Sequence, residues 1–179
     1  MGNLFSRFKY TLYKYFDRAG EQAVKKSIAR WHKGGWLNHA LARHQWNKIR
    51  KKYSCDIFPG ITIGMDLRIE HPMWTCIGKT AILGDNVRIY NNVLVVAKVI
   101  GKDEENKRNN HERTHAKIGN NVILGCGCTI IGSVNIGDNC IIGARAIVTH
   151  DIPPNSVVVG VNSIRPRRDD ENAPEYDKR

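Results

Sequence analysis

Aliphatic side chains recur at every sixth position along most of this chain: Ile57, Ile63 and Ile69, then Ile77, Leu83, Ile89 and Val95, then Ile118, Leu124, Ile130, Ile136, Ile142 and Val148. Two residues before each stands a mostly small or β-branched side chain, from Cys55, Ile61 and Leu67 through Thr75, Ala81, Val87, Val93, Ala116, Val122 and Cys128 to Val134, Cys140 and Ala146. A period of six suits neither a 3.6-residue helix nor a plain two-residue strand alternation. It suits short strands joined by tight turns around a solenoid, in which each coil buries its aliphatic row only by stacking on the next. The chain is therefore expected to be mainly β, a parallel β-helix with both tracks facing inward and with caps at its ends.

Charge separates the coil from what precedes it. Residues 1–53 carry 13 Lys/Arg against 2 Asp/Glu, whereas residues 54–179 carry 15 of each. Phe5, Phe8, Leu12 and Phe16 share one face at helical spacing, and a second helical stretch is expected around Leu37 to Ile49, after Gly34-Gly35. Residues 1–53 thus read as a small basic α-helical cap and residues 54–165 as the β-helix, with an extruded loop at about 96–117 and a disordered charged tail at 166–179. The basic face suits either plain solvation or peripheral contact with an anionic membrane. Aromatics interleaved with basic residues at Arg7-Phe8-Lys9-Tyr10 fall at helical spacing, which favours burial over nucleic-acid binding.

No apolar run approaches the ~18 residues of a membrane span, and no cleaved leader is visible, so a cytoplasmic location is expected, at most peripheral to the inner membrane face. Five cysteines without a CxxC pair argue against a disulfide framework. Cys55, Cys128 and Cys140 lie on the small inward track, where packing explains them.

The six-residue beat fails twice. Ile69 is followed by Glu70-His71, and the next aliphatic position, Ile77, comes eight residues on instead of six. Later a polar excursion separates Val95 from Ile118 and holds His111 and His115. A solenoid tolerates corner insertions cheaply, but histidines concentrated in them suggest chemistry, and His71 and the excursion are expected to share a cleft.

At these residues the chain resembles the hexapeptide-repeat acyltransferases, and within them the serine acetyltransferase branch. Asp56-Ile-Phe-Pro is similar to that family's Asp-Ile-His-Pro opening, Glu70-His71 to its Asp-His corner, Thr114-His115-Ala-Lys-Ile118 to its Arg-His-Pro-Lys-Ile, and Asp151-Ile-Pro-Pro to its closing segment. The resemblance implies a left-handed β-helix, a homotrimer, and acetyl-CoA as co-substrate in a groove between subunits, with no metal required. It implies His71 as general base, Asp56 orienting its imidazole, and His115 supporting the transfer from the facing side. Histidine suits the task because its ordinary pKa lies near working pH and a carboxylate stabilises the imidazolium as it forms. The cofactor groove is expected to include Gly125, Cys126, Gly127, Gly143 and Ala144, with Arg165, Arg167 or Arg168 meeting the CoA phosphates. Glu70, Trp74 and Arg113 are the candidate acceptor-binding residues.

Departures from the family pattern bear on the acceptor. Thr114 replaces the arginine before the second histidine, Pro72-Met73-Trp74 replaces a run of small residues, and the earlier part of the family's longer helical domain is absent from the first 53 residues. On these grounds the expected acceptor is a sugar hydroxyl of a cell-surface polysaccharide or its precursor, Trp74 stacking on the ring. The alternatives are a serine O-acetyltransferase of cysteine biosynthesis, a metalloenzyme built on His71, His111 and His115, and a non-catalytic scaffold.

Overall fold

The structure, a computed structural model, describes residues 19–98 and 114–160 together with the backbone of residues 163–166. The aromatic stripe at Phe5 to Phe16, the loop residues His111 and Arg113, and the tail with Arg167 and Arg168 lie outside the described residues.

Two helices, α1 over 19–32 and α2 over Trp36–Tyr53, are joined at Gly34 and Gly35, whose φ angles of 70° and 79° suit glycine. Val24 and Ile28 of α1 pack with Ile49 of α2, and Ser27 Oγ donates to the Ala42 carbonyl at 3.1 Å. Trp31 and Trp46 meet Phe58 edge-on at ring separations of 5.2 and 5.3 Å, which seats the pair on the first coil. The helices cover the apolar end that a bare solenoid would leave wet, as a cap must.

From Asp56 the chain winds through short parallel strands, β1 to β14 among the described residues, three to a coil. The first face stacks β1 (Asp56–Ile57), β4 (Cys76–Ile77), β7 (Leu94–Val96), β10 (Thr129–Ile131) and β13 (Ile147–Val148). The second stacks β2 (Thr62–Ile63), β5 (Ile82–Leu83), β8 (Lys117–Ile118) and β11 (Asn135–Ile136). The third stacks β3 (Arg68–Ile69), β6 (Arg88–Ile89), β9 (Ile123–Leu124), β12 (Ile141–Ile142) and β14 (Ser156–Val159), and closes with β15 (Ser163–Pro166), which turns back antiparallel on β14. In-register pairs such as Ile77↔Val95 and Leu83↔Ile118 stack the aliphatic row directly.

Of the inward positions read from the sequence, Ile63 alone is only half-buried; the rest are buried, and all of these but the polar Thr75 belong to one continuous hydrophobic core. Burial pushes the Cys55 and Cys128 thiols up to about 12, so both stay neutral packing groups.

The corners carry a pattern of their own. Asp66, Asn86, Asn121, Asn139 and Asn155 all take left-handed φ between 52° and 59° where the second face turns into the third. Side-chain amides bond up that column, Asn86 to Asn121 at 3.0 Å, Asn121 to Asn139 at 3.1 Å and Asn139 to Asn155 at 3.0 Å. Asparagine serves here because it tolerates the left-handed region and its amide both donates and accepts.

Candidate active site

The eight-residue step from Ile69 to Ile77 widens the corner between the third and first faces. His71 (φ 55°) and Trp74 (φ 62°) both take left-handed backbone there. The turn is pinned by Thr75 N donating to the Pro72 carbonyl at 3.3 Å and Trp74 N donating to the Ser54 carbonyl at 3.0 Å. Pro72 is buried against Gly20 of α1, while Met73 and Trp74 project outward, Trp74 67% exposed. His71 is half-buried.

Asp56 opens β1 at the same corner, its amide donating to the Thr75 carbonyl at 2.7 Å. Its carboxylate pairs with Arg50 of α2 at 3.5 Å, both groups being nearly half exposed. The helical cap therefore supplies a cation to this corner, a contribution that the sequence patterns did not signal. Cys76, in register with Asp56, has its thiol pKa raised by burial and by that neighbouring carboxylate. Glu70, half-buried, ends the third face, its amide donating to the Ile89 carbonyl at 2.7 Å.

Above this corner the coil repeats. Asn92 N donates to the Met73 carbonyl, Gly127 N to the Asn91 carbonyl and Arg145 N to the Cys126 carbonyl, each at 2.9 to 3.0 Å. The candidate cofactor residues Gly125, Cys126, Gly127, Gly143 and Ala144 thus line the same edge as His71. Three coil steps of ~4.8 Å carry that edge about 14 Å, a length suited to an extended pantetheine arm. Gly125 and Gly143 have a second reason to be glycine: a Cβ on Gly125 would meet Ala144 N at 2.8 Å, and one on Gly143 the Val158 carbonyl at 2.8 Å. Arg145 holds the turn at φ 58°. Arg165 lies in β15, opposite Val157 of β14.

His115 is elsewhere. It follows the excursion at the corner between the first and second faces, and its ring lies over Gly78, where any Cβ would overlap Nε2 and Cδ2. Thr80 Oγ1 stands 2.7 Å from His115 Nδ1, and Thr114 Oγ1 3.1 Å from it. Within one chain β4 separates the two histidines, which flank opposite edges of the first face, and most of the excursion expected to share a cleft with His71 lies outside the described residues. Among the described residues of one chain no three His, Cys, Asp or Glu side chains cluster to hold a metal. Beyond His115 an open concavity of about 520 Å³ climbs the second face, lined by Lys117, Asn135, Asp138, Asp151 and Pro153 among others. The sequence reading did not find this groove.

Residues 115–150 match the model of the bacterial transferase hexapeptide family, with its six repeats. A serine acetyltransferase of Mycobacterium tuberculosis is 37% identical over 132 residues, covering 73% of this chain and 52% of that protein. One from Helicobacter pylori strain J99 is 34% identical over 137 residues, 71% of this chain and 74% of that protein. Among solved structures, the serine acetyltransferase of Neisseria gonorrhoeae in complex with serine superposes with a TM-score of 0.67 at 29% identity, over 84% of this chain and 56% of that one. The chain thus spans only about half the length of some of the proteins it matches.

These relatives overturn the expected sugar acceptor, since each is named for serine. The departures behind that expectation have local causes. Thr114 is 4% exposed and committed to Thr80 and His115, so its identity is set by packing. Trp74 occupies a left-handed turn position and is 67% exposed.

Proposed function

The chain belongs to the serine acetyltransferase family of left-handed β-helix, hexapeptide-repeat acyltransferases, and from that membership we propose that it acetylates the hydroxyl of free serine with acetyl-CoA. The observation that carries the reading is the Helicobacter pylori relative, matched along most of its own length. In the proposed reaction His71 takes the proton from the serine hydroxyl as its oxygen attacks the thioester carbonyl carbon. The tetrahedral oxyanion collapses, the carbon–sulfur bond breaks, and the proton passes from the imidazolium to the departing CoA thiolate. Asp56, at the same corner, is assigned to orient the imidazole, and Glu70 and Arg113 suit the ammonium and carboxylate of serine.

Because one chain holds its two histidines on opposite edges of a face, we place the reaction between subunits of a homotrimer. His71 and the edge above it then face the His115 edge of a neighbour, with acetyl-CoA between them.

Thiol release from acetyl-CoA, followed with L-serine and with a panel of sugars and oligosaccharides, tests the acceptor. Turnover is expected with serine at least 100-fold above any sugar, because a site with groups committed to an ammonium and a carboxylate leaves them unpaired around a sugar. Equal or greater turnover with a sugar would remove the proposal.

A second reading concerns the cap. Trp36, Leu37 and Leu41 at the start of α2 are 81%, 54% and 40% exposed, and residues 19–53 hold nine Lys/Arg against Glu21 alone. No described helix is long and apolar enough to cross a membrane. An exposed tryptophan and leucines set among cations suit an anionic bilayer surface, each nearby cation adding about 1 kcal/mol. The protein is expected to co-sediment with phosphatidylglycerol vesicles at low salt, to be released by 0.5 M NaCl, and to lose binding in Trp36→Ser/Leu41→Ser. Failure to sediment at low salt removes this reading. Salt-independent self-association lost in the double variant would assign the patch to a second copy instead.

A further inference from the structure

The Thr80–Thr114–His115 cluster carries an inference about proton placement that rests on the proposed role of His115 but is measured separately from it. Thr80 Oγ1 receives two backbone amides, Thr114 N at 3.0 Å and His115 N at 3.1 Å. A hydroxyl oxygen has two acceptor positions and one proton. With both acceptor positions filled, Thr80 has only its O–H left for the neighbours, and its shortest contact is His115 Nδ1 at 2.7 Å. Had Nδ1 carried a proton, two donors would face each other at that distance. The longer contacts agree, because if Thr80 instead donates to Thr114 Oγ1 at 3.3 Å, the Thr114 hydroxyl is released to donate to Nδ1 at 3.1 Å. By either route Nδ1 is an acceptor.

We propose that Thr80 is a positioning residue that fixes the tautomer of His115, so that the neutral ring carries its proton on Nε2 and works as a hydrogen-bond donor and not as a second base. The consequence follows from where the ring lies. The Nε2 side sits over Gly78, and only glycine leaves room for it. Gly78 and Thr80, two residues apart on the coil below, thus set the ring's position and its proton together. The two histidines of the site divide the labour: His71 removes a proton, while His115 offers one N–H to the acceptor or to the oxyanion without competing for the proton in transit. The excursion between Val95 and Ile118 returns to the coil at this cluster, since Thr114, 4% exposed, is the first residue described after it.

The test is nitrogen NMR of protein labelled at histidine, where the protonated and bare ring nitrogens resonate far apart, compared in wild type, Thr80→Val and Thr80→Ser, with His115→Asn to assign the signal. The expected wild-type spectrum shows His115 neutral with a bare Nδ1 and a protonated Nε2. Thr80→Val, which keeps the shape but deletes the donor, is expected to mix the tautomers and to lower kcat about tenfold, an effect the size of one lost hydrogen bond. Thr80→Ser is expected to restore both. A wild-type His115 protonated on Nδ1, or a tautomer unchanged in a folded Thr80→Val, overturns the proposal. If Thr80→Val does not fold, because two amides lose their acceptor, the wild-type and serine spectra still decide. A wild-type spectrum as expected in a protein that ignores serine would sink the acceptor assignment and leave the tautomer lock standing.

Discussion

His71→Asn is expected to lower kcat for acetyl transfer to serine by about 10²–10⁴-fold, the usual contribution of a general base, while acetyl-CoA affinity by calorimetry stays within about twofold. Asparagine is the informative replacement. The position has φ 55°, a region that asparagine enters readily and alanine does not. Alanine, which tolerates that region less well than histidine or asparagine, would add backbone strain to the chemical loss and blur the result. Asparagine keeps the turn and a polar side chain but has no group that can accept a proton near neutral pH. The bonds that hold the corner, Thr75 N to the Pro72 carbonyl and Trp74 N to the Ser54 carbonyl, do not involve the imidazole. A melting curve beside wild type separates loss of the base from loss of the fold. Retention of more than a tenth of wild-type kcat in a folded trimer would end the assignment of His71 as base and turn attention to the groove beyond His115. Arg50→Gln should act in the same direction but weakly, since it removes only a half-exposed ion pair from Asp56.

The coil was legible because its two inward tracks repeat without regard to what the corners do. Ile69 and Ile77 stay buried on either side of a two-residue insertion, and Val95 and Ile118 on either side of the whole excursion. Burial of one side chain per strand sets that pattern, and a corner can lengthen without disturbing it. The cap was legible in outline from Gly34-Gly35, but its use of Trp31, Trp46 and Phe58 was not, since aromatic contact between distant segments has no period.

The corners were readable in principle. Three residues after the aliphatic position come Asp66, Asn86, Asn92, Asn121, Gly127, Asn139 and Arg145, each at positive φ. A run of Asp, Asn and Gly at one fixed offset is the mark of a left-handed turn residue. Likewise, counting hexads by threes puts Ile77 and Val95 on one face and Ile118 on the next, which places His71 before the first face and His115 after it. The separation of the histidines was therefore present in the spacing. The Thr80–His115 contact and the Arg50–Asp56 pair were not, because those depend on distances between side chains that no spacing encodes.

Gly84→Ala is expected to destabilise the protein by about 3 kcal/mol, lowering the melting temperature by roughly 6–12 °C for a chain of this size. Gly84 follows Leu83 on the second face, directly below Gly119. A Cβ there would meet the Gly119 carbonyl carbon and oxygen at 2.7 Å and Asn120 Oδ1 at 2.5 Å. Two of those atoms are backbone and cannot swing aside, so the coils must part by about 0.7 Å to reach ordinary contact at 3.4 Å. Parting loads the bonds that join the same two coils: Gly84 N to the Ile118 carbonyl at 2.9 Å, Asp85 N to Asn120 Oδ1 at 2.8 Å and the Asn86 to Asn121 amide pair at 3.0 Å. In a solenoid each coil is held only by its neighbours, so a weakened junction is not compensated from elsewhere. Gly34→Ala supplies the contrast. Its φ of 70° penalises alanine by ~1 kcal/mol, yet nothing lies within 4 Å of the added carbon. Thermal and urea unfolding of both variants at equal protein concentration separates clash from backbone strain. A Gly84→Ala protein no less stable than Gly34→Ala would show that the coils yield at this corner without cost.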